Sequence, residues 1–222
     1  MLQQLVQAET TDRAMRSIRY QMHVARFPIH RDLAGFDFEQ SRVDRRQITS
    51  FATTTFTEQA ENIVLIGGTG TGKTHLATAL GVEAVTNHGK RIRFYSTVEL
   101  VNMLEQEKAA GKAGRLAHQL MHLDLVILDE LGYLLFSQAG GALLFHLLSK
   151  LYEHTSVIIT TNLMFAEWAR VPIAVMLTPT FLRSRTQQRR TTLGQCRSTA
   201  FQLPKCGWVR VLPSFHGRFG KG

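Results

Sequence analysis

The order of hydrophobic and polar positions predicts a helical amino-terminal region, then a core of alternating strands and helices, then a segment without a regular period. In the first part of the chain, apolar side chains recur at three- and four-residue spacing, which predicts a helix over residues 2–27. Pro28 and Gly35 interrupt this pattern. A short helix is predicted over residues 44–59, so residues 1–61 are assigned to one helical region.

From Asn62 onward, short apolar segments alternate with longer helical ones. Segment 123–130 is nearly continuous in apolar residues, which suits a strand buried on both faces. Strands separated by helices in this rhythm predict an α/β core over residues 62–170, with a parallel sheet, right-handed crossovers and flanking helices. The predicted strands are 62–68, 91–96, 123–130 and 155–162, and the predicted helices are 73–89, 97–109, 139–154 and 165–170.

Charge divides the chain at the end of this core. The formal net charge is +9, yet every acidic residue lies between Glu9 and Glu167. Residues 171–222 hold seven Arg, two Lys, four of the five prolines and no acid, which leaves residues 1–170 without net charge. Such a change occurs at a domain boundary, in a disordered basic tail, or where the reading frame has changed. Residues 171–222 are therefore treated as a basic tail of uncertain structure.

The composition also restricts the compartment. No apolar run approaches the roughly 18 residues of a membrane span, and the amino terminus lacks the basic and apolar regions of a secretory signal. Cys196 and Cys206 fit neither a zinc pattern nor a disulfide framework. These features predict a soluble, cytoplasmic protein without a membrane partner.

A glycine-rich loop lies between the first predicted strand and its helix. The sequence GGTGTGKT at residues 67–74 fits G-x-x-x-x-G-K-[ST] at every fixed position. Glycines let successive backbone N–H groups approach phosphate oxygens, Lys73 is placed to reach the β- and γ-phosphates, and Thr74 is placed to ligate Mg²⁺. The alternative is a glycine-rich turn that matches by chance. The residues predicted to bind a nucleoside triphosphate are Gly67, Gly68, Thr69, Gly70, Thr71, Gly72, Lys73, Thr74 and His75.

Polar residues at the ends of two further strands supply the other half of a hydrolytic site. Asp129 and Glu130 end an apolar strand at the edge of the sheet that also carries the glycine loop. Asp129 is predicted to hold Mg²⁺ through water, and Glu130 to orient and deprotonate the attacking water. Asn162 ends a strand expected to lie between the other two, where its amide would hold the lytic water or a phosphate oxygen. The alternatives are solvated carboxylates and an ordinary Thr-Asn turn.

These residues resemble the AAA+ ATPases, and within them the IstB-like transposition helper proteins, which are close relatives of DnaC-type helicase loaders. The resemblance rests on GTGKTHLATALG, on LAGFDF near the amino terminus, and on DELGY, SQAGGALLFHL and SVIITTN. It covers roughly residues 1–170. These motifs extend well beyond a general nucleotide-binding pattern.

The resemblance implies an ATPase that forms a homo-oligomer on DNA, largely without sequence preference, and cooperates with a transposase. ATP and Mg²⁺ are the implied cofactors, and residues 1–61 are the implied region of DNA or partner contact. It assigns phosphate binding to Gly70, Gly72, Lys73 and Thr74, metal and water activation to Asp129 and Glu130, and a sensor role to Asn162. Lys73, Glu130 and Asn162 are thus the predicted catalytic residues, and Thr74 and Asp129 the predicted metal ligands.

The sequence departs from the family after Arg170. The family continues with a helical lid whose arginine acts across a subunit boundary, and no matching segment is recognisable here. Arg183 and Arg185 lie in a different context, so they are not assigned that role. A frameshift near Val171 is our hypothesis for the tail, which the sequence of the genomic locus can test. Loss of the lid predicts a protein that binds ATP but turns it over poorly.

Three groups of basic residues are candidates for DNA contact. Arg13, Arg16 and Arg19 recur every three residues on the first helix, and Arg42, Arg45 and Arg46 cluster before the core. Glu9, Asp12 and Asp44 are interleaved with these two groups, which favours a solvated face. Lys108, Lys112 and Arg115 follow the second core helix in a glycine-containing stretch, where DNA contact and simple solvation are equally open. The charge of the tail would bind phosphate without specificity.

Three other functions remain open from the sequence. The first is a DnaC-like helicase loader, which uses the same ATPase with another partner. The second is a small-molecule kinase, although the paired carboxylates and Asn162 favour water as the phosphoryl acceptor. The third is a non-functional remnant, to which the unusual tail points.

Overall fold

In the part of the protein that the structure describes, the amino-terminal helix packs against other elements only near its carboxyl end. A computed structural model describes residues 2–41, 43–132, 137–152, 154–163 and 208–212. Helix α1 spans Leu2–Ala25, close to the predicted 2–27, and ends where Arg26 adopts a positive φ of 57°. Most of α1 is exposed, and Ala25 at its end is fully buried. Neither α1 nor any other helix in the described part of the chain is long and apolar enough to cross a membrane.

The single helix predicted over residues 44–59 is wrong in its extent. Helix α2 covers Arg45–Ala52 and begins at Asp44, whose carboxylate accepts the Arg46 backbone N–H at 2.9 Å. It ends because Thr54 takes a left-handed conformation with φ of 59°, and a 3₁₀ turn follows over Thr55–Thr57. Consecutive threonines favour this ending, since β-branching and hydroxyl bonds to nearby carbonyls compete with the helix.

The core is the predicted parallel sheet with flanking helices. Four strands run parallel, and the sheet order β2-β3-β4-β1-β5 places β4 between β3 and β1, as expected from the sequence. The parallel strands are β1 Asn62–Ile66, β2 Ile92–Ser96, β3 Leu125–Leu131 and β4 Ser156–Thr161. The helices between them are α3 Lys73–Thr86, α4 Thr97–Ala109, α5 Arg115–Leu120 and α6 Gln138–Leu151.

Two elements were not foreseen. Helix α5 is one, and the other is a fifth strand, β5, over Trp208–Leu212 in the segment where no period was found. Strand β5 pairs antiparallel with β1, from Asn62 opposite Leu212 to Ile66 opposite Trp208. The helix predicted at 165–170, the expected loss of the lid and the rest of the tail lie outside the described residues.

The sheet separates two hydrophobic clusters. On β3, Leu125 and Ile127 belong to one cluster, whereas Val126 and Leu128 belong to the other, as alternation along a strand requires. The first cluster also contains α3 and four buried side chains that precede β1, namely Ala25, Ile48, Phe51 and Phe56. The amino-terminal region therefore shares its core with the helix that follows the glycine loop.

Candidate functional site

A cavity of about 370 Å³ lies at the carboxyl edge of the sheet. Most residues predicted to bind or hydrolyse a nucleotide line it, although Gly67, Gly68 and Asp129 do not. Gly67 is buried and extends β1 by donating its N–H to the Thr161 carbonyl at 3.1 Å, and Gly68 is exposed. The lining consists of Thr69, Gly70, Thr71, Gly72, Lys73, Thr74, His75, Glu130, Thr160, Thr161 and Asn162.

The glycine loop has the backbone that its sequence requires. Gly70 and Gly72 have φ of 73° and 82°, in the left-handed region that favours glycine. Gly72 is the N-cap of α3, and no side chain caps this end of the helix. The first N–H groups of a helix have no intrahelical partner, and the helix dipole adds positive potential there. This end of α3 therefore suits a phosphate group.

Lys73 lies over the loop that precedes it. Its ammonium group donates to the Gly68 carbonyl at 2.6 Å and to the Thr71 hydroxyl at 3.4 Å. Partial burial lowers the pKa of Lys73 below its ordinary value, and the nearby charges of Asp129 and Glu130 partly offset this effect. The cation is therefore hydrogen-bonded to the glycine loop and is attracted by the carboxylate pair.

Thr74 and Asp129 join the two halves of the site. The Thr74 hydroxyl donates to the two carboxylate oxygens of Asp129 at 2.9 and 3.1 Å, although 55 residues separate them in sequence. Asp129 is only 7% exposed. A hydroxyl and a carboxylate oxygen at the same point are ligands that Mg²⁺ prefers, so this pair fits the predicted ion.

Glu130 and Asn162 complete the predicted set. Both side chains are exposed and both line the cavity, at the ends of β3 and β4. Glu130 has a positive φ of 61°, which is uncommon outside glycine. Residues expected to bind phosphate and water therefore line one cavity, and Asp129 accepts a hydrogen bond from Thr74 in that lining.

Three threonines near the carboxylates were missed by the sequence analysis. Thr160 and Thr161 line the cavity, and the hydroxyl of buried Thr97 donates to the Asp129 carbonyl at 2.7 Å. Two threonines at the end of an apolar strand can indicate a functional edge, but the sequence analysis assigned a role only to Asn162 in that segment. Thr97 is the first residue of α4, and nothing in the sequence indicates its contact with Asp129.

The LAGFDF segment packs against the glycine loop. The Phe36 ring occupies the space beside Gly72, where an added Cβ would lie 2.6 Å from Phe36 Cε2. The Phe36 and His75 rings meet edge to face at 5.3 Å, and His75 Nε2 lies 3.0 Å from the Asp32 carbonyl oxygen. The amino-terminal region thus contacts the start of α3 directly.

Known proteins of two kinds resemble this chain. An insertion sequence IS21 ATP-binding protein from Pseudomonas aeruginosa is 38% identical over 167 residues, covering 75% of this chain and 63% of that protein. An IS5376 counterpart from Geobacillus stearothermophilus is 33% identical over 168 residues, covering 75% of this chain and 66% of the relative. The chain thus spans somewhat under two thirds of the first relative's length.

Solved structures agree at the level of the fold. The DnaC helicase loader has a TM-score of 0.52 at 23% identity, over 65% of this chain and 84% of DnaC. Replication initiator DnaA bound to AMPPCP and single-stranded DNA has a TM-score of 0.53 at 22% identity, over 61% of this chain and 43% of DnaA. The fold is therefore that of the AAA+ P-loop NTPases.

The family assignment agrees with the sequence motifs. The profile of the family described as IstB-like ATP binding protein matches residues 1–187, which extends past the resemblance expected to end near Arg170. The match includes the glycine loop, both carboxylates and Asn162. The chain belongs to the family of IstB-like ATP-binding proteins.

Proposed function

We propose that this protein binds and hydrolyses ATP as a helper of DNA transposition, forming an oligomer on DNA and cooperating with a transposase. The observation that carries the proposal is the contact between Thr74 and Asp129. It brings a phosphate-binding loop and a carboxylate pair to one point, as hydrolysis of a nucleoside triphosphate needs. The insertion-sequence relatives support the role in transposition.

Each side chain has a defined part in this proposal. The loop N–H groups and Lys73 bind the phosphates, and Thr74 and Asp129 would hold Mg²⁺, which neutralises charge on the phosphate oxygens. Glu130 accepts a proton from the attacking water. The Asn162 amide holds that water or a phosphate oxygen in place.

Substitution of Glu130 tests the hydrolytic part. Glu130→Gln keeps the size of the side chain but removes the base, so we expect ATP affinity within about threefold of wild type and turnover lower by about 10² to 10⁴. Lys73→Met should instead weaken ATP binding itself. Equal turnover by wild type and Glu130→Gln would exclude this role of Glu130.

We infer that turnover by this chain is slow. The resemblance implies a segment after Arg170 that carries a trans-acting arginine, and no such segment is recognisable in the sequence, although the family match extends to residue 187. Such an arginine contributes about 10³ to 10⁵ in rate where phosphoryl transfer depends on it. Comparison of kcat with that of a relative that has the complete lid provides the measurement. A kcat within tenfold of that relative would contradict the inference.

We also propose that the α4–α5 connection contacts DNA. Lys108, Lys112 and Arg115 are exposed and have no carboxylate partner in the described part of the chain. By contrast, Arg13 and Arg16 of α1 pair with Glu9 and Asp12 on the preceding turn, which supports the solvated interpretation of that helix.

Alanine at Lys108, Lys112 and Arg115 together tests this surface. Removal of three phosphate contacts should weaken duplex DNA binding and reduce the slope of log affinity against log salt by about 0.9 for each contact. Alanine at Arg13 and Arg16 is the control, since these cations are already paired. Equal changes in DNA affinity and salt dependence in the two variants would show that the α4–α5 connection is not the DNA-binding surface.

The alternatives give different results in the same assays. A kinase would transfer phosphate to a small molecule, whereas this proposal predicts inorganic phosphate as the product, released faster with duplex DNA. A helicase loader shares the fold seen in DnaC but would co-purify with the replicative helicase rather than with a transposase. A remnant would bind no ATP.

A further inference from the structure

The carboxyl end of β3 contains one more residue than the strand beside it. Leu128 pairs with Ile159 and Leu131 pairs with Thr161, so three steps along β3 correspond to two along β4. The extra residue forms a β-bulge, and Glu130 within it has the positive φ of 61°. The bulge therefore contains both carboxylates of the predicted site, Asp129 and Glu130.

This bulge decides which way the side chains face. Consecutive residues of a regular strand point to opposite faces of the sheet, so Asp129 and Glu130 would lie on opposite sides. Instead Leu131 belongs to the same hydrophobic cluster as Val126 and Leu128, which shows that the alternation shifts by one residue at the bulge. Glu130 is left out of both packed faces, is exposed and lines the cavity.

The Thr160 hydroxyl bridges the two residues of the bulge. Thr160 is fully buried, and its Oγ1 accepts the Glu130 backbone N–H at 2.9 Å and donates to Asp129 Oδ1. A hydroxyl has a single proton, so when it accepts from the N–H its proton is available for the carboxylate. Asp129 Oδ1 thus accepts from two hydroxyls, those of Thr160 and Thr74.

We propose that Thr160 is a positioning residue that sets the direction of both carboxylates through this bulge. The proposal rests on the function proposed above and adds a residue to it. Without the hydroxyl, the Glu130 N–H loses its acceptor and Asp129 loses one of its two fixed donors. The bonds from Thr97 to the Asp129 carbonyl and from Thr161 to the Leu131 carbonyl remain. No side chain then links the Glu130 N–H to the Asp129 carboxylate, so both carboxylates lose the direction that would serve the metal and the attacking water.

Thr160→Val tests the proposal because it removes the hydroxyl and keeps the branched shape. We expect Mn²⁺ affinity of the ADP complex, measured by electron paramagnetic resonance titration, to fall about 10- to 100-fold, the range typical for partners that orient a metal ligand. ATP turnover should fall with it, whereas affinity for ADP without metal should change by less than about threefold. Thr160→Ser keeps the hydroxyl and should restore Mn²⁺ affinity to within about threefold of wild type.

Thr155→Val is the matched control. Thr155 precedes β4 at its other end, is 1% exposed and donates its hydroxyl to the Leu120 carbonyl at 3.1 Å, far from any carboxylate of the site. A purely structural effect of losing a buried hydroxyl would lower Tm in both valine variants and leave Mn²⁺ affinity unchanged in both. That result would overturn the proposal. If Thr160→Val does not fold, Thr160→Ala carries the same expectation.

The outcomes separate this inference from the proposed function. Wild-type protein that binds neither ADP nor Mn²⁺ would overturn the proposed function, and the role of Thr160 would fall with it. Wild-type protein that binds both, with Thr160→Val unchanged in Mn²⁺ affinity, would overturn the role of Thr160 alone.

Discussion

At the scale of single residues, Gly72 combines two constraints. Its φ of 82° is strained for any side chain, and an added Cβ would lie 2.6 Å from the Phe36 ring. Gly89 has a similar φ of 62° but no atom within 4 Å of an added Cβ, so it isolates the backbone effect. Comparison of alanine substitutions at Gly72 and Gly89 therefore separates the effect of backbone strain from that of a steric clash with Phe36.

We expect Gly72→Ala to weaken ATP binding at least tenfold, because the start of α3 must move to relieve the contact with Phe36. Gly89→Ala should lower the free energy of unfolding by about 1 kcal/mol through strain and leave ATP affinity unchanged. Fluorescent ATP titration and urea denaturation provide the two measurements. Wild-type affinity in Gly72→Ala would show that the Phe36 contact has no bearing on the loop.

The site residues differ in how far sequence alone could identify them. The glycine loop is a local pattern, so Lys73 and Thr74 could be placed from spacing. Asp129 and Glu130 followed from a strand ending in acids. Thr160 could not be identified, because its contacts depend on a register shift between two strands that lie 30 residues apart.

At the scale of secondary-structure elements, an ion pair joins the starts of β2 and β3. Asp124 accepts the Arg91 backbone N–H at 2.7 Å and the Arg91 guanidinium at 3.1 and 3.2 Å. Partial burial raises the pKa of Asp124, but the hydrogen bonds from Arg91 lower it by more, so the net pKa lies below its ordinary value. The ionised carboxylate therefore stabilises the folded state.

Asp124→Asn should lower the free energy of unfolding by about 0.5 to 1 kcal/mol at pH 7, a small value because Arg91 is 54% exposed. The folded pKa is depressed, so the stabilisation is present above the unfolded pKa and is lost as pH falls through the folded one. Urea denaturation should show the difference at pH 7 and its progressive loss as the pH falls below the ordinary pKa of an aspartate. Exposed Glu39→Gln is the control, and an equal loss there would refute the role of the pair.

Periodicity predicted most elements, and non-local pairing accounts for the exceptions. The parallel strands and the helices α1, α3, α4 and α6 follow from apolar spacing over many residues. Helix α5 has only six residues and is preceded by Gly114, so it gives too little pattern. Strand β5 is recognisable only through its pairing with β1, more than 140 residues earlier in the chain.

At the scale of the whole molecule, the amino-terminal region divides into an exposed part and a buried part. Residues 6–17 of α1 are exposed, whereas Ile48, Phe51 and Phe56 are buried in the cluster that contains α3. Each such side chain stabilises the fold by about 1.5 to 3 kcal/mol when buried. Residues 43–61 therefore pack as part of the α/β core.

Two deletions test this division. Removal of residues 1–17 should leave Tm within a few degrees of the full chain, since the deleted surface is exposed. Removal of residues 1–61 should abolish cooperative unfolding, because the cluster around α3 loses several buried side chains. Circular dichroism during heating distinguishes the two. A cooperative transition in the chain without residues 1–61 would contradict the shared core.

The most direct test of the central claim is ATP affinity with and without Mg²⁺, in the wild type and in Asp129→Asn. The claim is that the glycine loop and the Asp129 carboxylate bind one ion together. We therefore expect Mg²⁺ to tighten ATP binding at least tenfold in the wild type and by less than threefold in Asp129→Asn. An equal response to Mg²⁺ in both proteins, or none in the wild type, would contradict the claim.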